Sequence, residues 1–239
     1  MQITILHLSD LHGNVSFLRQ WKGDSLRPNV ILLTGDITHF GEGREAKEII
    51  DAVRTLSPNV LALHGNCDKQ GVEEFLVSQN ISLHRSFRIF QNITFLGVGG
   101  SLPCPGKTPS EYSDNLYKNW LEETYEKAGK PDKYILVTHQ PPYGTHADKA
   151  MKMIHTGSHA IRNFIELTQP LLCLCGHIHE STGTDRIGDT LLVNPGPFKQ
   201  GHFAYITLYD EKINVAMKRA CIQQNTNTYE QNHASSIRP

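Results

Sequence analysis

Apolar residues in this chain gather in short runs, and each run gives way abruptly to glycine, asparagine or a charged residue. Residues 30–34, 60–63, 134–138 and 171–175 are almost wholly apolar, the pattern of strands buried on both faces. Residues 1–7 also read as a strand, running straight into a polar motif. Between these runs the period lengthens. Ala46, Ile49, Ile50 and Val53 have helical spacing that Ser57-Pro58 ends. Residues 72–77 predict a short helix. Residues 110–130 predict a long one with Ser110 as its cap, and 158–168 a third that Pro170 ends. Residues 81–83, 87–90 and 93–98 read as short antiparallel strands, and 99–109 as a Gly/Pro-rich loop. Later, 186–190 reads as a turn between strands, and 202–209 with 213–217 as a hairpin around Asp210-Glu211-Lys212. Alternating βαβ units that give way to antiparallel strands predict one α/β domain with two sheets over residues 1–222. The polar, Asn- and Gln-rich stretch 223–239 has no period and reads as a disordered or loosely held tail.

Composition narrows the class. A hydrophobic content of 38% in 239 residues is enough for a core. The 23 Lys+Arg and 24 Asp+Glu leave a formal charge of −1, which argues against long nucleic acid or an anionic membrane as partner. No stretch approaches the ~20 apolar residues of a membrane span, and residues 1–7 do not read as a leader. Cys67, Cys104, Cys173, Cys175 and Cys221 are odd in number and unevenly placed. Buried reduced thiols and a cytoplasmic location are the expectation.

The chemistry-bearing residues fall at the ends of the apolar runs. Asp10-Leu11-His12 follows the first, and Gly35-Asp36 follows 30–34. Gly65-Asn66-Cys67-Asp68 follows 60–64, His139-Gln140-Pro141-Pro142 follows 134–138, and Gly176-His177-Ile178-His179 follows 171–175. In open α/β sheets, ligands bind beyond the carboxyl ends of the strands. In extended backbone, residues two apart project to one side, so Asp10 with His12, and His177 with His179, are each placed to share an ion. Each motif alone has a commonplace reading as a turn, a cap or a packed histidine. Five in this order, mixing carboxylate and amide oxygens with imidazoles, form the donor set of a two-metal hydrolytic site.

The order of these motifs resembles that of the calcineurin-like metallophosphoesterases: Asp-x-His, Gly-Asp, Gly-Asn-x-Asp/Glu, a lone His after a strand, and Gly-His-x-His. The resemblance spans Asp10 to His179, and Asn194-Pro195-Gly196-Pro197 is similar to a further family segment. It implies a four-layer sandwich of two mixed β-sheets flanked by helices. It implies two divalent ions, the first held by Asp10, His12, Asp36 and His179, the second by Asp36, Asn66, His139 and His177, with Asp36 bridging. It implies a phosphoesterase in which a hydroxide between the ions attacks phosphorus. Mn²⁺ is the metal expected in an assay, with Fe, Zn or Ni as cellular alternatives. Within the family, the Gly-Asn-Cys-Asp form and the loop after Gly99 look like a group of bacterial and archaeal phosphoesterases.

One departure matters. Many members carry a histidine after the asparagine that protonates the leaving oxygen, and here that position is Cys67. A thiol with an ordinary pKa of about 8.5 matches that task poorly. His39, His146 and His155 are candidate substitutes, and His146 joins Asp36, Asn66, His139 and Cys67 in the catalytic set. Asp68 reads either as an orienter of a ligand or backbone, or as a helix N-cap. Ser158 reads as a cap before phosphate contact, and Asn14 equally as a cap or a phosphate contact. The Pro103–Pro109 loop forms one wall of the expected cleft, with Cys104 incidental to it. The substrate expected is a small phosphate ester, diesters before monoesters and nucleotides among them. The rival reading is a scaffold that keeps the fold and loses catalysis. Such a protein is free to lose ligands, whereas all seven are present here.

Overall fold

The computed structural model describes residues 2–21, 26–151, 153–209 and 212–220. The tail proposed for 223–239, Cys221, and Asp210 and Glu211 of the expected hairpin turn lie outside the described residues.

Two mixed sheets lie at the centre. One contains β1 (Gln2–Leu8), β2 (Val30–Thr34), β3 (Val60–Leu63), β12 (His202–Tyr209) and β13 (Lys212–Arg219), in the order β13-β12-β1-β2-β3. The other contains β4 (Ser86–Phe90), β5 (Ile93–Val98), β6 (Tyr134–Thr138), β9 (Leu172–Leu174), β10 (Gly183–Ile187) and β11 (Thr190–Asn194), in the order β10-β11-β9-β6-β5-β4. β7 (Lys149–Ala150) and β8 (Ile154–His155) form a small separate hairpin. The parallel strands β1, β2 and β3, and β5, β6 and β9, therefore end on the same side of their sheets as the site motifs.

The pleat explains why these strands are apolar at nearly every position, because both faces of each sheet are covered. Ile5, Leu32 and Leu63 of one sheet meet Phe95, Ile135 and Leu174 of the other. The alternate residues Leu6, Leu8, Ile31 and Leu33 pack under α1 (Val15–Trp21), α2 (Gly43–Arg54) and α3 (Gln70–Ser78). On the opposite side Leu96, Leu136 and Cys173 pack under α4 (Asp114–Lys127) and α5 (His159–Thr168), through Tyr117, Leu121, Ile161 and Ile165. Helices, sheet, sheet and helices thus make four layers, as the resemblance implies.

Three local expectations need correction. The long helix does not begin at Ser110 but at Asp114, where the Ser113 hydroxyl accepts from the Leu116 N–H. Ser110 instead donates its hydroxyl to the Asp68 carbonyl at 2.6 Å, and Glu111 bridges to Ser101, which keeps 110–112 extended. Residues 81–83 are not a strand in an antiparallel set, because Ser82 makes only an isolated parallel bridge to Ala62. The short helix over 72–77 is longer, extending from Gln70 to Ser78. The antiparallel pairings β4–β5, β10–β11 and β12–β13 agree with the sequence pattern.

Candidate metal centre

The loops that follow β1, β2, β3, β6 and β9 converge and are tied to one another by backbone. Asp10 N–H donates to Gly35 O at 3.1 Å, His12 N–H to Asp36 O at 2.9 Å, and Gly13 N–H to Ile37 O at 2.9 Å. Gly176 N–H donates to His139 O at 3.1 Å. The expected extended geometry of Asp10–His12 is not what the chain adopts. Asp10, His12, Asp36 and His177 all have left-handed backbone, with φ of 54, 48, 48 and 71°. Strain of this kind costs on the order of 1–3 kcal/mol per residue and concentrates at functional sites. The side chains still converge, but through tight turns and not through strand pleat. Gly65 and Gly176 make this packing possible: a Cβ on Gly65 would collide with the backbone and carboxylate of Asp36, and one on Gly176 with Ser9.

The seven expected ligands form one connected cluster. Atoms of Asp10, His12 and His179 lie within 4.8 Å of one another, and so do atoms of Asp10, Asp36 and His139. His179 Nε2 is 3.2 Å from Asp10 Oδ1, and 3.3 Å from His12 Nε2. Asp36 faces an imidazole of each group, with Oδ2 3.7 Å from His12 Nε2 and Oδ1 3.5 Å from His139 Nε2. His139 donates from Nδ1 to the Thr34 carbonyl at 2.7 Å, which turns Nε2 toward Asn66 Oδ1 at 3.0 Å. His177 reaches the cluster by its ring, 5.0 Å from that of His139, and by its N–H, which donates to Asp10 Oδ2 at 3.2 Å.

The electrostatics suit cations. Burial lowers His12 to about 4 and His177 to about 3, so both rings are neutral and keep a lone pair. Burial pushes Asp36 up, helped by Asp10 and Asp68 and opposed by His139. Burial would also raise Asp10, but the His179 hydrogen bond and the His139 and His179 imidazoles outweigh it and hold the carboxyl low. Burial would lower His139, yet Asp36 and Asp10 raise it instead. Imidazoles and buried carboxylates that face one another in this way are a donor set that divalent cations fit.

The residues around the cluster hold it in place. Asp68 accepts from Ile37 N–H at 3.0 Å, Thr38 N–H at 2.7 Å, Thr38 Oγ1 at 2.7 Å and Gly65 N–H at 2.8 Å. It orients the backbone that follows Asp36 and the peptide that precedes Asn66, and the cap of α3 is Lys69, not Asp68. Asn66 donates its amide to Thr108 Oγ1 at 3.0 Å, so the Pro-rich loop does wall the site. Gln140 spans the two walls, accepting from Leu102 N–H at 3.0 Å and donating to Thr156 O at 2.8 Å. The Asn194–Pro197 segment brings Phe198 N–H to Ser9 O at 2.8 Å and Lys199 N–H to Asp10 O at 3.2 Å. Thr108, Gln140 and Lys199 carried no signal in the sequence beyond lying in or beside motif segments.

The remaining candidates separate. Cys67 sits at the cluster, its thiol pushed far up by burial and by Asp36. His39 is exposed, with its ring 5.6 Å from that of His12. His146 is exposed on a short 3-10 turn whose N–H donates to Asp185, beside Gly183. His155 pairs with Asp148 at 2.7 Å. Asn14 accepts from Phe17 N–H at 3.2 Å and Ser158 from Ile161 N–H at 3.0 Å, so both cap helices. Cys104 is closer to the chemistry than expected, with Sγ 3.8 Å from His177 Nε2.

Comparison with known proteins agrees with this geometry. Residues 3–181 match the model of the calcineurin-like phosphoesterases. An uncharacterized protein of Methanocaldococcus jannaschii is 39% identical over 214 residues, covering 85% of this chain and 91% of that one. A cAMP/cGMP dual specificity phosphodiesterase of Mycobacterium tuberculosis is 25% identical over 233 residues, covering 89% and 70%. A dimetal phosphatase from Danio rerio shares the fold, with a TM-score of 0.62 at 13% identity over 92% of this chain and 96% of that one. No helix among the described residues is long and apolar enough to cross a membrane. With the motifs gathered at one sheet end and the family model spanning most of the sequence, the chain belongs to the calcineurin-like phosphoesterases, hydrolases that bind divalent metals and act on small phosphate esters.

Proposed function

We propose that this protein is a two-metal phosphodiesterase. The observation that carries the reading is the position of Asp36, whose two carboxylate oxygens face different imidazoles, His12 and His139. This position supports a bridging role for Asp36. Asp10, His12 and His179 would complete one ion's set, and Asn66, His139 and His177 the other's. When bound, the ions supply Lewis acidity that activates water and neutralises charge on the phosphate oxygens.

The chain's own groups set the rest. Asn66 contributes an oxygen without charge, and Thr108 fixes which end of its amide faces His139. The Cys67 thiol, held protonated by burial and Asp36, is a poor proton donor to a leaving oxygen. His39 is the best placed of the three candidate acids, because its ring meets that of His12 and the adjoining Phe40 N–H donates to the Cys67 carbonyl. It replaces His146 in that role in our reading. Weak protonation of the leaving group favours esters that leave readily. The M. tuberculosis relative is a cyclic-nucleotide phosphodiesterase. Both points support diesters before monoesters, with small nucleotides in the substrate class and no role for long nucleic acid. Mn²⁺ is the metal for assay. The free thiols of Cys67, Cys104, Cys173 and Cys175 support a cytoplasmic location.

The test is Mn²⁺-dependent hydrolysis of bis-p-nitrophenyl phosphate beside p-nitrophenyl phosphate after chelator treatment, with Asp36→Asn as control. Metal-restored turnover that prefers the diester and vanishes in the variant is the expected result. Preference for the monoester overturns the diester assignment. Absence of turnover on both compounds moves weight to a scaffold of the same fold.

A further inference from the structure

Cys67 occupies a position for which the proton-transfer role fails, yet it is neither remote nor loosely held. Its Sγ lies with a nitrogen of His12 and a carboxylate oxygen of Asp36 within 4.8 Å of one another. Its two peptide groups fix it. The Cys67 N–H donates to Asp36 Oδ1 at 2.8 Å, and its carbonyl accepts from Phe40 N–H at 3.1 Å. The residue is 9% exposed, and its sulfur lies 3.7 Å from the Asn66 side-chain amide nitrogen. His12 also keeps a buried Nδ1 without a hydrogen-bond partner.

This triad joins a hard oxygen, an imidazole nitrogen and a soft sulfur. Zn–S and Zn–N bonds of about 2.3 and 2.0–2.1 Å ask the three donors to draw inward slightly. A cation that prefers oxygen gains little from the sulfur, whereas a thiophilic cation gains a ligand. We propose that Cys67 is an additional ligand of the ion held by Asp10, His12, Asp36 and His179, and that it biases this site toward thiophilic divalent cations such as Zn²⁺ or Fe²⁺ over Mn²⁺. The inference rests on the two-metal reading above. On binding, a metal–sulfur bond replaces the S–H bond and the proton passes to solvent, with no change of oxidation state. The cation's charge offsets the burial and the carboxylates that otherwise keep the thiol protonated.

Cobalt separates this inference from the reading beneath it. The full-length protein is stripped with chelator and titrated with Co²⁺. Visible d–d bands report any protein-bound cobalt, and a near-ultraviolet sulfur-to-cobalt charge-transfer band reports the thiol. The wild type is expected to show both, Cys67→Ser only the d–d bands, and Cys104→Ser both. In competition, Cys67→Ser should lower the Zn²⁺-to-Mn²⁺ affinity ratio by ~10-fold or more, the least that loss of a supporting partner tends to cost. A merely structural role would lower both affinities together. d–d bands without charge transfer in the wild type, or charge transfer surviving in Cys67→Ser, overturn the sulfur ligand and leave the metal centre standing. Absence of both bands in the wild type overturns the metal centre itself, and the sulfur ligand with it.

Discussion

His12 Nε2 faces His179 Nε2 at 3.3 Å across 167 residues of chain. Burial lowers His12 to about 4, so its ring is neutral at physiological pH, and the two Nε2 atoms either share one N–H···N hydrogen bond or, in the proposed metal centre, both turn a lone pair to one ion. Divalent metal should therefore stabilise the fold by mass action, by ~2.7 kcal/mol at one hundred times its Kd. At ~2–4 °C per kcal/mol for a chain of this size, the melting temperature should rise by roughly 5–10 °C. Calorimetry of chelator-treated protein with and without Mn²⁺ measures it. His12→Ala should lose most of the increment, and an undiminished increment in that variant would remove His12 from the ligand set.

Asp36 and Gly65 form a second linked pair. The glycine leaves no room for a Cβ beside the carboxylate. Asp36→Asn should abolish turnover with the far-ultraviolet spectrum intact, since it removes charge and keeps shape. Gly65→Ala should also lose metal affinity and activity, because the methyl group must displace Asp36. Full activity in either variant contradicts the bridging position.

Much of this arrangement was legible in the chain. The continuous apolar runs marked strands covered on both faces, and the residues just after them were the ones that converge. What was not legible depends on contacts between distant segments. Ser110 and Ser113 look alike as caps, and only the packing of Ser110 on the Asp68 carbonyl decides between them. The left-handed turns at Asp10, His12, Asp36 and His177 leave no trace in a hydrophobic period, because Asp and His tolerate that backbone without being diagnostic of it. Thr108 orients Asn66 from 42 residues away, a pairing set by the path of a Pro-rich loop.

Asp68 is a separate test of how the site is supported. It is fully buried and accepts four hydrogen bonds from Ile37, Thr38 and Gly65. Asp68→Ala strands those donors, and bonds to a charged acceptor are worth ~1.5–3 kcal/mol each. A loss of roughly 3 kcal/mol or more in urea unfolding is expected, with weakened metal binding because the backbone after Asp36 and before Asn66 loosens. A loss under about 1 kcal/mol would show that water or neighbouring groups replace the carboxylate readily.

His7 should give the fold an acid-sensitive limb. It lies on β1, fully buried, with Nε2 2.9 Å from Thr34 Oγ1 and no hydrogen-bond partner for Nδ1. Burial lowers its pKa from 6.5 to about 3, against a smaller upward pull from Asp10. Above 6.5 both the folded and the unfolded chain carry a neutral ring, and pH has no leverage through this residue. Between 6.5 and about 3 the unfolded chain binds a proton that the folded one refuses. Stability therefore falls as pH falls through that window, by up to ~1.4 kcal/mol per pH unit for the one proton. Other histidines whose pKa desolvation lowers, the partly buried His84 among them, add to the same limb. His7→Gln keeps a polar group near Thr34 without titrating, so its unfolding free energy should fall less steeply between about pH 6 and pH 4, by close to one proton's slope. Urea unfolding of both proteins at a series of pH values measures the difference, and equal slopes would show that the ring is protonated in the folded state after all.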